Sequence, residues 1–477
     1  MDQLINTVSE INDKVNGFVW GPIMLVFFLF VGFLFTIRTK VFQVSHFKYW
    51  IDVSFLNIFR KKEVRKTSDK HAISQFQSLC TALAATIGTG NIAGVATAIA
   101  AGGPGAIFWM WLSAFLGTMT NFAENTLGIK YRSKNAKGEW VGGAMYYIEK
   151  GLGWKWLAII FSIFCALASF GIGNMSQVNS IAGGLQNSFG IDPRITAVVL
   201  MILVALVILG GIKRIASVAE KVVPFMALAY ILGGLIVICC NITAVPAAFA
   251  LIFHEAFNFK AATGGVVGYG ISIAMRKGIS RGVFSNEAGL GSSVMVHSAS
   301  DVKEPVVQGM WGIFEVFADT LVVCTITALV ILTSGVYDMG AYTQAIAAGE
   351  NVVSGAALTS NAFASIIPHG DKFVAISVML FAFSTVLGWS FYGERAIGYL
   401  FGDKAVPIYK IIFIAIIYLG CTASLDLVWG ISDTFNGLMA IPNLIAITLL
   451  SGQVISMTKE YIDRVKSGKE TEAGEEL

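Results

Sequence analysis

The feature that most constrains this 477-residue chain is a series of eleven long apolar runs. A run of about 20 residues crosses the ~30 Å hydrocarbon core of a bilayer as a helix. The runs are continuous rather than alternating, which excludes a transmembrane β-barrel. Charged residues make up 13% of the chain, about half of the ~25% in soluble proteins, which excludes a soluble core of this size. The sequence therefore predicts an all-α polytopic membrane protein with transmembrane helices at 17–37, 74–101, 104–129, 156–176, 195–212, 216–240, 263–280, 306–334, 373–400, 405–424 and 427–458.

Lysine and arginine are distributed unevenly between the two sets of loops. The runs divide the 33 basic residues into 29 on one side and 4 on the other, the latter being Lys14, Arg194, Lys260 and Lys372. Cytoplasmic loops carry the excess of basic residues. We therefore expect a multi-pass protein of the cell membrane with its N-terminus outside and its C-terminus in the cytoplasm. The same division leaves no lysine or arginine in the middle of a run.

The odd number of runs predicts a particular internal organisation of a single domain, 1–477. If the first helix is an addition, ten remain, and two sets of five must be related by inverted topology. The expected parts are an additional helix at 17–37, a cytoplasmic loop at 38–73, inverted repeats at 74–241 and 263–458, and a cytoplasmic tail at 459–477. In the loop, Phe47, Ile51, Phe55 and Phe59 recur at helical spacing before three basic residues, which indicates a helix on the membrane surface.

Glycines interrupt the first helix of each expected repeat. The first contains Gly88-Thr89-Gly90-Asn91, and the second contains Gly264, Gly265, Gly268 and Gly270. A helix broken in the membrane exposes N–H groups that suit an anion and carbonyl groups that suit a cation. We therefore expect a ligand site in which the N–H groups of Thr89 and Gly90 hold a carboxylate. Carbonyls around Gly268 and Gly270 are expected to hold an ammonium group, with Asn91 offering a further oxygen.

Three stretches carry a resemblance to a known family. Residues 102–117, GGPGAIFWMWLSAFLG, resemble the signature of the alanine or glycine:cation symporter family, the sodium:alanine symporters. Residues 85–103, ATIGTGNIAGVATAIAAGG, and 284–293, FSNEAGLGSS, are similar to other recurrent stretches of that family. The resemblance implies a LeuT-like fold of two inverted five-helix repeats with one extra N-terminal helix. It also implies sodium-coupled symport of small neutral amino acids, alanine or glycine, by alternating access, with no enzymatic activity and no cofactor.

The sodium ligands follow from the same resemblance. When GTGN is aligned with the broken helix of the LeuT-like fold, the implied ligands are carbonyls near Ala84 and Ile87 together with Ser384 and Thr385. The local observation is that Ser384 and Thr385 are adjacent hydroxyl residues in an apolar run. Uncharged oxygen ligands suit a hard cation such as sodium. Thr86 offers another oxygen nearby.

Charge placement predicts a zwitterionic substrate. With no acid in 74–101 and no basic residue in mid-span, a bare cation or anion would remain partly uncompensated in a low-dielectric site. Gln177 is a candidate for the substrate's polar groups, and Phe381 and Trp389 are candidates for the walls that limit side-chain size. The expected partners are the amino acid, sodium and membrane lipid, with no nucleic acid; the oligomeric state stays open.

The remaining acids leave alternatives open. Proton coupling through Glu315 or Asp319 competes with sodium coupling, because acids at membrane depth are usually functional. Glu124 is expected to pair with Lys130, and Glu287 is an inner-gate or loop-fixing acid. A passive channel is favoured only by one VGYG copy at 267–270, where a filter needs four copies. An intramembrane enzyme would need a nucleophile with its base or a metal cluster, which the sequence does not suggest.

Overall fold

The computed structural model describes residues 2–257, 267–423 and 426–468, and most of them are helical. Helices predominate because a bilayer offers no hydrogen-bond partners, so each segment must satisfy its own backbone. The N-terminal helices are α1 (Asp2–Val19), α2 (Pro22–Arg38), α3 (Phe42–Ser45), α4 (Phe47–Ile51), α5 (Asn57–Arg60) and α6 (Lys62–Arg65), with a π-helical turn at Asp52–Leu56. The segment from Phe47 to Arg60 is therefore helical, as the spacing of its apolar residues predicts.

The next helices contain the first expected repeat. They are α7 (Gln75–Thr86), α8 (Val95–Gly102), α9 (Gly105–Tyr131), α10 (Ala144–Leu152), α11 (Lys155–Phe170), α12 (Ser176–Phe189), α13 (Pro193–Ile208), α14 (Gly211–Cys240) and α15 (Val245–Ala256). Shorter elements join or extend them: π-helical turns at Gly90–Gly94 and Gly171–Met175, a 3₁₀ turn at Ile242–Ala244, and a two-stranded antiparallel sheet of β1 (Ser133–Lys134) and β2 (Trp140–Val141).

The C-terminal part of the chain is built in the same way. Its helices are α16 (Val267–Asn286), α17 (Val294–His297), α18 (Pro305–Val316), α19 (Thr325–Thr333), α20 (Met339–Ala347), α21 (Gly355–Ala364), α22 (Gly370–Phe401), α23 (Val406–Thr422), α24 (Asp426–Leu449) and α25 (Ser451–Lys466). A π-helical segment at Phe317–Cys324 joins α18 to α19. The inner core is formed where α9 packs against α16 and α18, and α22 against α11 and α12.

Hydropathy and length identify the membrane-crossing helices. Among the described residues, six helices are long and apolar enough to span a bilayer, or up to eight if each of two bent pairs counts as one span. Three shorter apolar helices, Pro193–Ile208, Ile242–Ala256 and Val406–Thr422, accompany them. Each of the eleven predicted runs overlaps a helix, although residues 263–266 of the seventh run lie outside the described residues. The count of eleven spans and the boundaries of the inverted repeats stay predictions.

The first break lies at Ile87–Thr89, between α7 and the turn that leads into α8. The two halves of this span are bent by 49°. Helix α7 begins with a capping box between Ser74 and Gln77, so its N-terminus is well defined. At the break, the N–H of Gly88 donates to Asn91 Oδ1 at 2.9 Å, which replaces a lost helical bond.

Within the described residues, the helix is not interrupted at the predicted glycines Gly268 and Gly270. Gly268 and Gly270 belong to the first turns of α16, which continues to Asn286, and Gly264 and Gly265 lie outside the described residues. The chain leaves the helix at Glu287–Ser293, where Glu287, Gly289 and Gly291 have φ of 57°, 93° and 72°. Three left-handed residues cannot continue a right-handed helix. We use "second break" for Glu287–Ser293.

The position of the second break also changes the expected location of three basic residues. Arg276, Lys277 and Arg281 were expected on the cytoplasmic side of the seventh span, but they lie on α16 before the second break. A Cβ on Gly102, at the end of α8, would lie 3.0 Å from the Cβ of Lys277, so this part of α16 is level with the end of α8. The side of the membrane on which these three residues lie stays a prediction.

The described part of the predicted tail is helical as far as Lys466. The bent pair Gly430–Leu449 and Ser451–Lys466 turns by 57°, and α25 extends eight residues beyond the predicted boundary at 458. The fully buried Tyr461 anchors α25, because its hydroxyl lies 2.7 Å from that of Tyr49 on α4.

Candidate functional site

A small central cavity lies between the two breaks. Its volume is about 10 Å³, the space of about one water molecule. Both breaks, α12 and α22 contribute to its walls. Its lining residues are Ala85, Thr86, Gly88, Thr89, Gly90, Ile172, Gln177, Phe284, Glu287, Thr385, Trp389 and Asn436. The predicted residues Thr86, Thr89, Gly90, Gln177, Thr385 and Trp389 are therefore brought together, although they come from three separate parts of the sequence.

The first break supplies backbone and hydroxyl groups to this cavity. Thr89 Oγ1 donates to Gln177 Oε1 at 3.1 Å, and Gln177 Nε2 donates to the carbonyl of Ile172 at 3.0 Å. Gly90 lies so close to α16 that a Cβ there would be 3.2 Å from Phe284 Cδ1 and from Ser285 Cα. A side chain at Gly90 would therefore be tight against α16, whereas the backbone there is not left-handed and does not itself favour glycine.

The second break supplies a carboxylate. Glu287 is 2% exposed, lines the central cavity, and accepts a hydrogen bond from Ser292 Oγ at 2.5 Å. Its backbone is left-handed, an uncommon conformation for a residue with a side chain. Sequence reasoning noted Glu287 without giving it a place in the site. An acid flanked by small residues in SNEAGLG was the available signal, but the break was expected at earlier glycines.

Helix α22 places its hydroxyl pair against the first break. Ser384 Oγ can donate to the carbonyl of Phe381 at 2.8 Å or to that of Ala84 at 3.2 Å, and Thr385 Oγ1 donates to the Phe381 carbonyl at 3.0 Å. A Cβ on Gly88 would overlap Thr385 Oγ1, so the two segments are in direct contact. The structure thus gathers carbonyl and hydroxyl oxygens of α7 and α22 in one place.

Asn91 has a different place from the one expected. It does not line the central cavity; its Nδ2 donates to Asp319 Oδ1 at 2.6 Å. The same carboxylate accepts from Ser285 Oγ at 2.9 Å and Thr320 Oγ1 at 2.7 Å. Three donors therefore satisfy the buried Asp319, which links the first break to α16 and to the π-helical segment 317–324.

Four other predicted site residues lie away from the central cavity. Gly268 and Gly270 are on α16, and at 1.5 Å per residue Gly268 is about 24 Å along the helix from Phe284. Phe381 is fully buried and packs on Tyr230, with ring centres 5.3 Å apart. Ile87 faces a separate apolar groove beside Leu83.

Two further buried acids are also outside the central cavity. Glu315 Oε2 lies 2.9 Å from His297 Nε2 and accepts from Asn121 Nδ2 at 3.1 Å. Glu124 accepts from Asn443 Nδ2. Lys130 Nζ donates instead to Gln453 at 2.6 Å, so the expected Glu124–Lys130 pair is wrong.

A much larger cavity lies next to the central one. Its volume is about 780 Å³, and it reaches the end of α12, the start of α21 and the start of α22. Thr89 and Phe284 line both cavities, so Phe284 forms part of the wall between them. We call this space the large cavity. Among its lining residues, Arg281 and Asp371 carry the charges.

Comparison with known proteins gives a consistent result over the whole chain. The model of a family described as the sodium:alanine symporter family matches residues 5–475. The sodium/alanine symporter AgcS of Methanococcus maripaludis is 48% identical over 458 residues, which cover 95% of this chain and 97% of that protein. The probable sodium/glutamine symporter GlnT of Bacillus subtilis is 39% identical, over 98% of this chain and 93% of that protein.

Solved structures agree on the architecture. A Na⁺-coupled sialic acid symporter in a substrate-bound outward-open state is similar with a TM-score of 0.52, over 96% of this chain and 92% of that chain. The sequence identity is 14%, so the likeness shows the fold alone. That fold is LeuT-like, which confirms the fold class that the sequence predicted.

Proposed function

Because the chain belongs to the sodium:alanine symporter family, we propose that it takes up alanine and glycine with sodium by alternating access. The coarser function follows from the family itself: the protein is a multi-pass membrane transporter that couples sodium to an amino acid, and it is not an enzyme. The main support for alanine and glycine as substrates is that the first break and Glu287 line the same small cavity, with Phe284 as part of its wall.

The substrate is held by both breaks. Its carboxylate binds the N–H groups of Thr89 and Gly90, with the amide of Gln177 beside them. Its ammonium group binds the Glu287 carboxylate, which takes the role first expected of carbonyls near Gly268 and Gly270. With one buried carboxylate offsetting one sodium ion, a ligand of zero net charge leaves the site neutral, which favours a zwitterion.

The size of the central cavity favours a substrate with a small side chain. The central cavity of about 10 Å³ cannot take even glycine without displacement of a wall. Phe284, Trp389 and Ile172 are the bulky parts of that wall, and each added methylene requires a further shift of packed side chains. Glutamine should therefore compete poorly with alanine, in contrast to the substrate named for the Bacillus subtilis relative.

We assign sodium to the oxygens between α7 and α22. The assigned ligands are the Ala84 carbonyl and the hydroxyls of Ser384 and Thr385, with Thr86 and the Ile87 carbonyl completing the set. The hydrogen bond from Ser384 to the Ala84 carbonyl, 3.2 Å long, supports this assignment because it already joins two of these oxygens. A bound cation would turn both oxygens toward itself.

Asp319 supports a second candidate, in which a proton is the coupling ion. Its carboxylate is fully buried and touches the first break through Asn91. Under this alternative, Asp319→Asn would abolish coupling, while the double variant Ser384→Ala/Thr385→Ala would retain it. Sodium coupling at α22 predicts the reverse order of effects.

The function is tested by radiolabelled uptake in proteoliposomes. We expect saturable alanine uptake driven by a sodium gradient but not by a lithium or proton gradient. Unlabelled glycine should compete, whereas alaninamide and propionate, which each lack one charge of the zwitterion, should not. Competition by propionate equal to that of alanine would refute the ammonium site, and uptake without sodium would refute the coupling ion.

We further propose the orientation given by the basic residues, with the N-terminus outside and the C-terminus cytoplasmic. Basic residues remain in excess on the cytoplasmic side even if Arg276, Lys277 and Arg281, which precede the second break, are counted on the outer side. Accessibility of tags at Asp2 and Leu477 in sealed cells tests this proposal. Equal accessibility of both tags would refute an odd number of spans.

A further inference from the structure

Asn436 on α24 lines the central cavity, yet the proposed contacts to the substrate give it no role. The residue is 1% exposed, and its Oδ1 is buried without a hydrogen-bond partner among the described residues. A buried acceptor without a partner is costly, so such atoms are rare unless a ligand or a water molecule satisfies them. Asn436 therefore presents an acceptor oxygen to whatever occupies the central cavity.

The face of α24 that carries Asn436 also contacts two neighbouring parts of the site. At about 100° per residue, Ser432, Asn436 and Asn443 lie within about 40° of one another around the helix. A Cβ on Gly171 would overlap Ser432, so α24 touches the π-helical turn between α11 and α12. Asn443 Nδ2 donates to the carbonyl of Gly289 in the second break at 2.9 Å. Asn436 thus lies on the face of α24 that packs against the second break.

The opposite face of α24 is held by α1. Asn16 Nδ2 donates to Thr434 Oγ1 at 3.1 Å, and Thr434 Oγ1 lies 2.9 Å from Asn12 Oδ1. Thr434 is two residues from Asn436, and hence about 160° away from it around the helix. Because α24 is fixed on this side by polar contacts, the amide of Asn436 is preorganised for a ligand on the other.

We propose that Asn436 Oδ1 accepts a hydrogen bond from the ammonium group of the substrate, beside Glu287. This inference rests on the proposed function. An ammonium group has three N–H donors, whereas a carboxylate has only acceptors and cannot satisfy Oδ1. Glu287 also accepts from Ser292, so a second acceptor is needed for the remaining donors. An amide oxygen supplies it without adding a charge to the site.

Alanine and N-methylglycine form a matched pair of probes, because they are isomers with the same charges. The methyl group is on the α-carbon in alanine and on the nitrogen in N-methylglycine. The wild type should bind alanine more tightly, since a methyl group on nitrogen removes one N–H donor and lies against packed walls. Asn436→Ala should weaken alanine binding about tenfold and leave N-methylglycine binding nearly unchanged, because the vacated space accommodates the N-methyl group.

The dissociation constants of both isomers are measured by isothermal titration calorimetry on the purified protein in sodium, so that a slow transport step does not matter. Equal losses of affinity for the two isomers in Asn436→Ala would overturn the proposal, since a merely structural role affects both alike. A raised sodium requirement with an unchanged ratio of the two constants would make Asn436 a sodium ligand and would overturn it as well.

Two further variants of α24 separate the amide from its surroundings. Asn436→Asp keeps an acceptor oxygen at the same place and should restore the preference for alanine. Thr434→Val removes the hydroxyl that bonds α1 on the opposite face, and the ratio of the two constants should stay as in the wild type. The same change of ratio in Thr434→Val as in Asn436→Ala would assign the effect to the packing of α24 and refute the role of the amide.

Uptake by the wild type separates this inference from its premise. If the wild type does not take up alanine with sodium, the proposed function fails. If it does, and Asn436→Ala retains the wild-type preference for alanine over N-methylglycine, only the role of Asn436 fails.

Discussion

The two breaks that face each other across the central cavity use glycine for different reasons. In the first, Gly88 and Gly90 have ordinary backbone angles but leave no room for a side chain against Thr385 and Phe284. In the second, Gly289 and Gly291 are left-handed, which a side chain would strain. The first break is shaped by close approach between helices, and the second by a reversal of the chain.

The two breaks also offer different chemical groups to the central cavity. The first break offers N–H groups, carbonyls and one hydroxyl, whereas the second offers the carboxylate of Glu287. Under the proposed function, the first break binds the carboxylate of the substrate and the second binds its ammonium group. The comparison teaches that the second break, with its left-handed backbone, places an acid at the central cavity, whereas the first places backbone and hydroxyl groups there.

The largest expected effect concerns space at the first break. Gly90→Leu should abolish uptake, because a Cβ at this position already lies 3.2 Å from Phe284 and Ser285 and the rest of leucine would enter the cavity. Gly90→Ala should retain part of the activity. Gly452→Leu, at a position with open space on α25, is the matched control. Normal transport by Gly90→Leu, with expression confirmed by size-exclusion chromatography, would put the site elsewhere.

The second expected effect concerns charge at the second break. Glu287→Gln should lower kcat/KM for alanine by roughly 100-fold, because removing one member of a buried charge pair costs about 2–5 kcal/mol. Glutamine can still bond Ser292, so folding should be preserved. Glu394→Gln removes an acid from the ion pair with Lys410, outside the central cavity, and serves as control. An unchanged kcat/KM for Glu287→Gln would return the ammonium group to backbone carbonyls.

A third, smaller effect concerns sodium beside the first break. Ser384→Ala/Thr385→Ala should raise the sodium concentration for half-maximal uptake about tenfold, since two oxygen ligands are lost while the Ala84 carbonyl remains. Ser390→Ala removes a hydroxyl on the same helix that bonds the Leu387 carbonyl one turn away, and should have no such effect. Unchanged sodium dependence in the double variant would refute the assignment of sodium to α22.

The smallest effect concerns the backbone of the second break. Gly289→Ala should lower the free energy of unfolding of the purified protein by about 1–3 kcal/mol, and with it the melting temperature. The reason is that φ at Gly289 is 93° and a Cβ would lie 2.9 Å from the Phe28 ring. Gly94→Ala, where φ is −65° and nothing lies within 4 Å, should be neutral or slightly stabilising. Equal melting temperatures of the two variants would show that the left-handed backbone of the second break is not required.

The sequence alone was sufficient for the fold class, the family and the first break. These follow from properties that lie along the chain: continuous apolar runs, long motifs, and GTGN in a span without charge. Thr89 and Gln177 could be named because polar side chains stand out in apolar runs, and Gly90 because it lies at an interruption of a helix. Hydropathy identifies a helix before its neighbours are known, since the bilayer acts on every span alike.

Only the tertiary structure decided which glycines break the second helix and which side chains face the ligand. Gly268 and Gly270 look equivalent to Gly289 and Gly291 in sequence, because glycine serves helix packing as readily as chain reversal. Asn91 bonds Asp319 and Glu287 lines the central cavity, because their neighbours come from segments that are distant in sequence and meet only in the folded protein. Those contacts join residues about 200 positions apart, and no local pattern encodes them.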